Sequence, residues 1–468
     1  MRTAHLATAA AVMMIGGSAC SGGAGDSASS IDPGPTSSAD SGDQGTVVGA
    51  ASDSLSPSLV SPNILLLIAD DIGVESSVCY SAQPIPAPRI ETLCANSLVF
   101  DNAWSSPVCS PTRAGMLTGQ HSFRTGIGEP ASPTNGLELG PDSLTLPLIL
   151  DQEQSGYAHA SFGKWHLGGN ADSPNEMGWS HFSGLLEGAL RDYENWNRVT
   201  DGISESVTEY STTATVDDTL GWISEQSQPW FAWVGFNAPH TPFHLPPGDL
   251  HSYDLSGTSA DIEANPADYF AAAVEALDTE IGRLLDSIDP SDLDNTVIIY
   301  MGDNGTDARV SQFGRGNAKG SVAEGGVHVP LMISGPGVEP GHQSTPVGTV
   351  DLFATVLELA GIDATTAVPS SIPIDSVSIG PLLAGGEMDE RYLLVEAFGS
   401  DTRPNQAGKA IRDSQYKLVE LEKGGLSLYD LQADPTAQSP LPLSDLSAQE
   451  QASLDELTTA MADWLGSS

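Results

Sequence analysis

Hydrophobic positions along this chain fall into runs and spacings that predict elements directly. Ile64-Leu65-Leu66-Leu67-Ile68-Ala69 is an unbroken apolar run that stops at Asp70-Asp71, the signature of a strand buried on both faces. Trp230–Phe236, Thr296–Met301 and Leu331–Ser334 read the same way, Val99-Phe100 as a short strand, and Ala158–Phe162 as a strand leading into Gly163-Lys164-Trp165-His166-Leu167-Gly168. Pro88–Ser97, Leu144–Leu150 and Val350–Ala360 predict helices. Tyr269, Ala273, Leu277, Ile281, Leu284 and Ile288 recur at helical spacing along a longer amphipathic one. Buried strands alternating with helices define an α/β fold with a doubly wound, mostly parallel sheet. After about Gly386 the pattern changes. Tyr392–Ala397, Lys409–Arg412, Tyr416–Glu420 and Leu426–Tyr429 are short strands with hairpin-like gaps, and Leu454–Leu465 is an amphipathic helix. This predicts a smaller antiparallel α+β subdomain over 387–468, after a main domain over 62–386.

The start of the chain reads differently. Residues 1–20 carry one early Arg2, an apolar run through Ala9–Ile15 and then G-G-S-A-C. This resembles a bacterial export signal ending in a lipoprotein cleavage site, with Cys20 as the lipidated residue; Gly17 departs from the usual larger residue, and plain secretion is the alternative. Residues 21–61 are Ser, Gly, Asp, Ala and Pro with almost nothing apolar to bury, the composition of a disordered tether. No later apolar run is long enough to span a bilayer.

Charge narrows the function. The formal net charge of −44 disfavours nucleic acid or an anionic membrane surface as partners. The chain has five lysines, Lys164, Lys319, Lys409, Lys417 and Lys423, so an anion-handling site must be built from few cations against the protein's own field.

Candidate chemistry gathers at strand ends. In P-V-C-S-P-T-R-A-G-M-L-T-G, Cys109 stands before a helix pattern, with Pro111 suited to its first turn and Arg113 one turn on. A helix N-terminus and a nearby guanidinium favour an anion there, although a lone cysteine in such a place is commonly a small buried residue. Asp70-Asp71 closes one buried strand and Asp303-Asn304 another, where carboxylates are costly unless a cation joins them. Lys164, His166, His240 and, after Arg315, Lys319 complete the set. Asp and Asn oxygens suit Ca²⁺, with Mg²⁺ as the alternative, better than Zn²⁺.

The stretches P-N-I-L-L-L-I-A-D-D, C-S-P-T-R-A-G-M-L-T-G, G-K-W-H-L-G, A-P-H-T-P, G-D-N-G, R-G-N-A-K-G-S-V-A-E-G-G-V-H-V-P and Y-K-L-V-E-L…L-Y-D-L-Q-A-D-P occur in this order between Pro62 and Leu441. With them the chain resembles the formylglycine-dependent sulfatases of the alkaline-phosphatase superfamily. The resemblance implies an alkaline-phosphatase-like sheet and hydrolysis of sulfate esters of carbohydrates, with aryl sulfates as model substrates. It implies that a formylglycine-generating enzyme oxidises Cys109 to formylglycine, whose hydrate is the nucleophile. Asp70, Asp71, Asp303 and Asn304 would hold Ca²⁺ together with residue 109. Arg113 and His166 would orient the hydrate, and Lys164, His240 and Lys319 would contact the sulfate, His240 as proton donor to the leaving oxygen. A phosphate or phosphonate ester hydrolase of the same superfamily and a non-catalytic glycan-binding relative are the other readings. His328 stands where many relatives have arginine, Ile85–Pro88 replaces a simple T-P, and the tail after Pro435 departs from the family's usual ending.

Four expectations follow. An exported protein is periplasmic, a cell-surface lipoprotein or secreted, and meets the membrane only through a lipid at Cys20. With Cys20 removed or lipidated and Cys109 converted, Cys79 and Cys94 remain as an even pair for a disulfide, a buried helix thiol at Cys94 being the alternative. Lys164 and Lys319 belong in the pocket, and Lys409, Lys417 and Lys423 away from it. The pocket rim is expected from loops Glu129–Gly140, Ala171–Asp201 and Leu245–Asp261.

Overall fold

The computed structural model describes residues 61–132, 134–398 and 407–466. The expected export signal and nearly all of the expected tether lie outside them. Sixteen strands form in chain order: β1 (Asn63–Ala69), β2 (Leu98–Phe100), β3 (Ala103–Trp104), β4 (Ala158–Lys164), β5 (His181–Leu185), β6 (Trp196–Thr200), β7 (Ile203–Val207), β8 (Trp230–Gly235), β9 (Thr296–Gly302), β10 (Leu331–Ser334), β11 (Gly341–Gln343), β12 (Val347–Gly348), β13 (Leu393–Ala397), β14 (Gly408–Arg412), β15 (Tyr416–Leu421) and β16 (Gly425–Asp430). Ten make one mixed sheet in the order β11-β2-β10-β9-β1-β8-β4-β5-β6-β7. Its centre is parallel: β1 pairs with β8 and β9, and β4 with β8 and β5. The antiparallel pairs lie towards the edges, at β10–β9 and in the β5-β6-β7 meander.

The apolar run of β1 explains why it sits in the middle. Ile64, Leu66 and Ile68 point into one core and Leu65, Leu67 and Ala69 into the other, each at most 1 % exposed. The long helix Pro266–Ser287 covers the second face through Tyr269, Phe270, Val274, Leu277, Ile281 and Leu284. Helix Leu352–Leu359, preceded by a 3₁₀ turn at Thr349–Asp351, covers the first. The antiparallel sheet β13-β14-β15-β16 packs helix Ala448–Gly466 through Leu418, Leu428, Leu457 and Met461. Cys79 and Cys94 are disulfide-bonded, with Cα atoms 6.7 Å apart.

Two expectations need correction. Ala171–Asp201 is not one long loop, because β5, a short helix Ser173–Glu176 and β6 lie within it. Helix Ser211–Ile223, absent from the pattern reading, packs beside β4 and β8.

Candidate active site

Four neighbouring parallel strands, β9, β1, β8 and β4, end on one edge of the sheet. The chain leaves them as Asp303-Asn304, Asp70-Asp71, the segment to His240, and Lys164-Trp165-His166. Ligand crevices of open α/β sheets form at this carboxyl edge. Register locks the pieces together: Asp303 N–H donates to Ala69 O at 3.1 Å and Asp70 N–H to Ala238 O at 3.2 Å. Asp71 and His166 hold φ of +70° and +56°, two of the six non-glycine residues with positive φ among those described. Each such residue costs about 1–3 kcal/mol, and such strain collects at functional sites.

Helix Cys109–Thr118 enters above this floor and is buried throughout. It begins at Cys109 itself, with Pro111 in the first turn, and ends at Gly119, whose φ of +71° only glycine adopts freely. Cys109 Sγ lies 3.1 Å from His166 Nδ1, and His166 Nε2 lies 3.0 Å from Ala131 O. A carbonyl can only accept, so Nε2 carries the proton and Nδ1 turns its lone pair to residue 109. Burial, then Lys164 and Arg113, pushes the His166 pKa well below its usual value, which keeps the ring neutral. Burial likewise pushes the Cys109 thiol up, outweighing Lys164 and Lys319. The helix start therefore does not make Cys109 a thiolate, because complete burial outweighs the nearby positive charge.

Each carboxylate has one cation. Arg113 donates through Nε (3.1 Å) and Nη2 (2.9 Å) to Asp303 Oδ2, and through Nη1 to Lys164 O at 2.6 Å. Three of its five N–H donors are thus engaged by Asp303 and the β4 backbone. Lys164 Nζ donates to Asp70 Oδ2 and Lys319 Nζ to Asp71 Oδ1, the latter at 2.5 Å. Asn304 Nδ2 also donates to Asp71 Oδ1, at 2.8 Å, which fixes which end of its amide is the oxygen. Three buried oxygens are left without a partner: Asp70 Oδ1, Asp71 Oδ2 and Asn304 Oδ1. Burial, then the Asp303 carboxylate, raises the Asp70 pKa well above its ordinary value despite Lys164. Asp71 goes the other way: burial opposes ionisation, but Lys319, His240 and Lys164 outweigh it. Unpartnered hard oxygens converging in a buried site fit a divalent cation. Ligand atoms of Asp70, Cys109 and Asp303, and of Asp70, Asp71 and His240, lie within 4.8 Å of one another.

His240 closes one side, with Nε2 3.8 Å from Asp71 Oδ2 and Nδ1 2.7 Å from Thr241 O. Burial and Lys319 push its pKa down to about 3. Cys109, His166, His240 and Lys319 face a cavity of ≈ 710 Å³. Its rim comes from residues 130–132, 136–138, 186–189 and Asp307; residues 245–261, expected to contribute, are not among its lining. Pattern reading also missed Ser110. Its hydroxyl donates to His166 O at 2.8 Å and accepts from Ala131 N–H at 2.9 Å, fixing the partner of the imidazole.

The lysines expected away from the pocket are absent from its lining, and Lys417 is buried on the C-terminal sheet. Lys409 pairs with Glu420 on the C-terminal sheet, half exposed, as foreseen for a remote lysine. Lys417 is 0 % exposed and donates to Glu324 Oε1 at 2.6 Å, with Nζ 4.4 Å from the centroid of the Trp104 ring. Glu324 follows the Lys319 segment in sequence, so Lys417 ties the C-terminal sheet to it. His328 joins the same group, 3.3 Å from Glu324 Oε2 and 2.9 Å from Asp101 O, so it serves local packing.

A floor with three carboxylates, three cations and a neutral histidine turned to one side chain suits binding and cleavage of an anionic ester. The sulfatase family model matches residues 62–362. The chain is 27 % identical to choline-sulfatase of Rhizobium meliloti over 86 % of each chain. It is 29 % identical to human N-acetylgalactosamine-6-sulfatase over 70 % of this chain and 67 % of that one. The crystal structure of Ps i-CgsB in complex with k-i-k-neocarrahexaose superposes with a TM-score of 0.71 at 24 % identity, covering 86 % of this chain and 92 % of the other, which shows the shared fold. The chain belongs to the sulfatase family: it is a sulfuric ester hydrolase of the alkaline-phosphatase superfamily.

Proposed function

We propose that the protein is an exported sulfatase acting on sulfated carbohydrates, with residue 109 oxidised to formylglycine and a bound Ca²⁺. The observation that carries this is the side chain of Cys109, a buried, protonated thiol aimed at an imidazole lone pair beside three unpartnered oxygens. A neutral thiol is a poor nucleophile. The hydrate of an aldehyde at the same place supplies an attacking hydroxyl, and its collapse to the aldehyde releases sulfate without water attacking the covalent ester.

The neighbouring side chains take defined parts. His166 Nδ1 faces residue 109 and accepts a hydroxyl proton from it. Arg113 holds Asp303 and the β4 backbone in place and is a positioning residue. Asp70, Asp71, Asp303 and Asn304 would hold the cation, which supplies positive charge against the sulfuryl oxygens. The three carboxylates and the three cations Arg113, Lys164 and Lys319 cancel, so a divalent ion leaves a net positive pocket in an acidic protein. Lys164 and Lys319 then serve the sulfate oxygens. Burial, then Lys319, holds His240 neutral; an anion beside the lysines offsets the second of these, which favours protonation of Nε2 and donation to the leaving oxygen.

The Cys79–Cys94 disulfide supports an oxidising compartment, in keeping with residues 1–20 as an export signal, Cys20 as a lipid site and 21–61 as a tether. Among the described residues, no helix is long and apolar enough to cross a membrane. We assign 62–386 to catalysis and 387–468 to the C-terminal subdomain. The partners are then a sulfated substrate and a formylglycine-generating enzyme, with no nucleic acid.

Mass spectrometry of the peptide spanning residue 109 tests this. A matured preparation that turns over 4-nitrophenyl sulfate should carry CHO in place of CH₂SH and react with a hydrazide. Full activity with only free thiol would overturn the mechanism.

A further inference from the structure

A second cavity, of ≈ 650 Å³, adjoins the first, and Glu187 and Ala189 line both. Its other walls include Leu190, Arg191, Asn195, Trp196 and Asn197. The segment that makes it, between β5 and β6, is tied to the catalytic floor at both ends. Gly188 packs so closely on His166 that a Cβ there would lie 2.2 Å from Nε2. Tyr193 is 2 % exposed, and its hydroxyl lies 2.8 Å from Asn237 O and 2.6 Å from His240 O. The Tyr193 ring stacks on His244 with centroids 3.8 Å apart. Trp196 Nε1–H donates to Glu209 O at 3.0 Å. Arg191, Asn195 and Asn197 therefore stand exposed on a segment held rigid by its buried neighbours.

Arg191 is unusual in this chain. Acidic side chains number 61 against 17 basic ones, and most of the described arginines are in ion pairs. No hydrogen bond or ion pair engages the Arg191 side chain among the described residues. A free guanidinium beside two carboxamides offers a fork for an oxyanion and hydrogen bonds for hydroxyls. The rim of the first cavity is more acidic: Glu138 and Asp307 lie on it alone, whereas the second cavity has Glu187, shared with the first, as its one lining carboxylate.

We propose that the second cavity is a subsite for a neighbouring sugar bearing a carboxylate or sulfate, glycosidically linked to the sugar whose ester is cleaved. Its volume is within the range of small-ligand sites. This rests on the sulfatase reading and goes beyond it: the substrate has at least two sugar units, and Arg191 reads the charge on the second.

The test uses the matured full-length protein with 4-nitrophenyl sulfate and matched pairs of sugars. Each pair is a monosaccharide sulfated at one position (galactose, N-acetylgalactosamine or glucosamine; 4- or 6-sulfate) and the same sugar linked to a glucuronate. At least one disaccharide should exceed its monosaccharide by about ten-fold in kcat/KM. Arg191→Ala should remove that gain through KM and leave 4-nitrophenyl sulfate turnover unchanged, and Asn195→Ala should weaken it less. Added salt should shrink the wild-type advantage and leave the variant flat. A panel in which no disaccharide outruns its monosaccharide, or an Arg191→Ala enzyme equally impaired on 4-nitrophenyl sulfate, would overturn the subsite. A matured wild type inert on the aryl sulfate itself would locate the failure in the sulfatase reading, and the subsite would fall with it.

Discussion

Replacing Lys417 by methionine should destabilise the protein far from any substrate. In the wild type Glu324 is 1 % exposed; its Oε1 accepts from Lys417 at 2.6 Å and its Oε2 from Trp104 Nε1–H at 3.3 Å. Burial opposes the Glu324 charge, but Lys417, His328 and Arg412 hold its carboxyl well below the usual range. Burial pulls the Lys417 ammonium down as well, since only Glu324 opposes it. Three basic side chains converge on the carboxylate, so Glu324 stays ionised beside Lys417. Breaking a buried pair from one side costs about 3–5 kcal/mol, because the other charge stays buried. At ~2.1 cal/mol/K per residue, ~400 ordered residues melt with a slope of roughly 1.2 °C per kcal/mol, so melting should fall by about 4–6 °C. Glu324→Gln in the same chain removes the stranded charge and should recover most of this. The sign with pH is fixed. The depressed pKa of Glu324 makes its contribution fully present above its unfolded value of 4.5 and lost as pH falls further. The gap between wild type and Lys417→Met should therefore narrow from pH 7 to pH 3.5. Differential scanning calorimetry of the wild type and of the single and double variants measures all of this, with Lys409→Ala as the exposed control. Equal melting temperatures for wild type and Lys417→Met, or no recovery in the double variant, would refute the reasoning.

Three further outcomes are expected. Chelation should abolish activity, and Ca²⁺ at 100 times its Kd should restore it and add about 2.7 kcal/mol of stability, read as a melting shift; Asp71→Ala should lose that shift while remaining folded. Lys319→Ala should raise KM for 4-nitrophenyl sulfate and lower kcat, since charge grows on the sulfuryl oxygens in the transition state; unchanged kinetics would remove it from the sulfate site. Replacing both Cys79 and Cys94 by serine, which opens a loop of 15 residues' separation, should cost about 3 kcal/mol in denaturant titrations.

What was legible in the sequence followed from burial. β1, β8 and β9 are apolar on both faces, so a short uninterrupted run pointed to an interior strand, with the polar residues after each run at its carboxyl end. That pattern puts Asp70, Asp71, His240, Asp303 and Asn304 on one edge of the sheet. β6 and β7 escaped because they form an edge hairpin: four of the five β7 residues are exposed, so no apolar run marks it. The signal present was Asp201-Gly202, both with positive φ, an Asp-Gly turn between alternating residues.

Lys417 escaped for another reason. Its strand reads Y-K-L-V-E-L, and alternation alone puts a lysine there on a solvated face. What buries it is a partner 93 residues away, Glu324, stacked with Trp104 from a third segment. Periodicity reports which face of a strand is covered by apolar neighbours and is silent about a face covered by a paired charge. The same silence concealed that Arg113 pairs with Asp303, 190 residues on. The buried cations Arg113, Lys164, Lys319 and Lys417 each pair with a carboxylate remote in sequence, so spacing along the chain predicts where such a charge lies but not which group it serves.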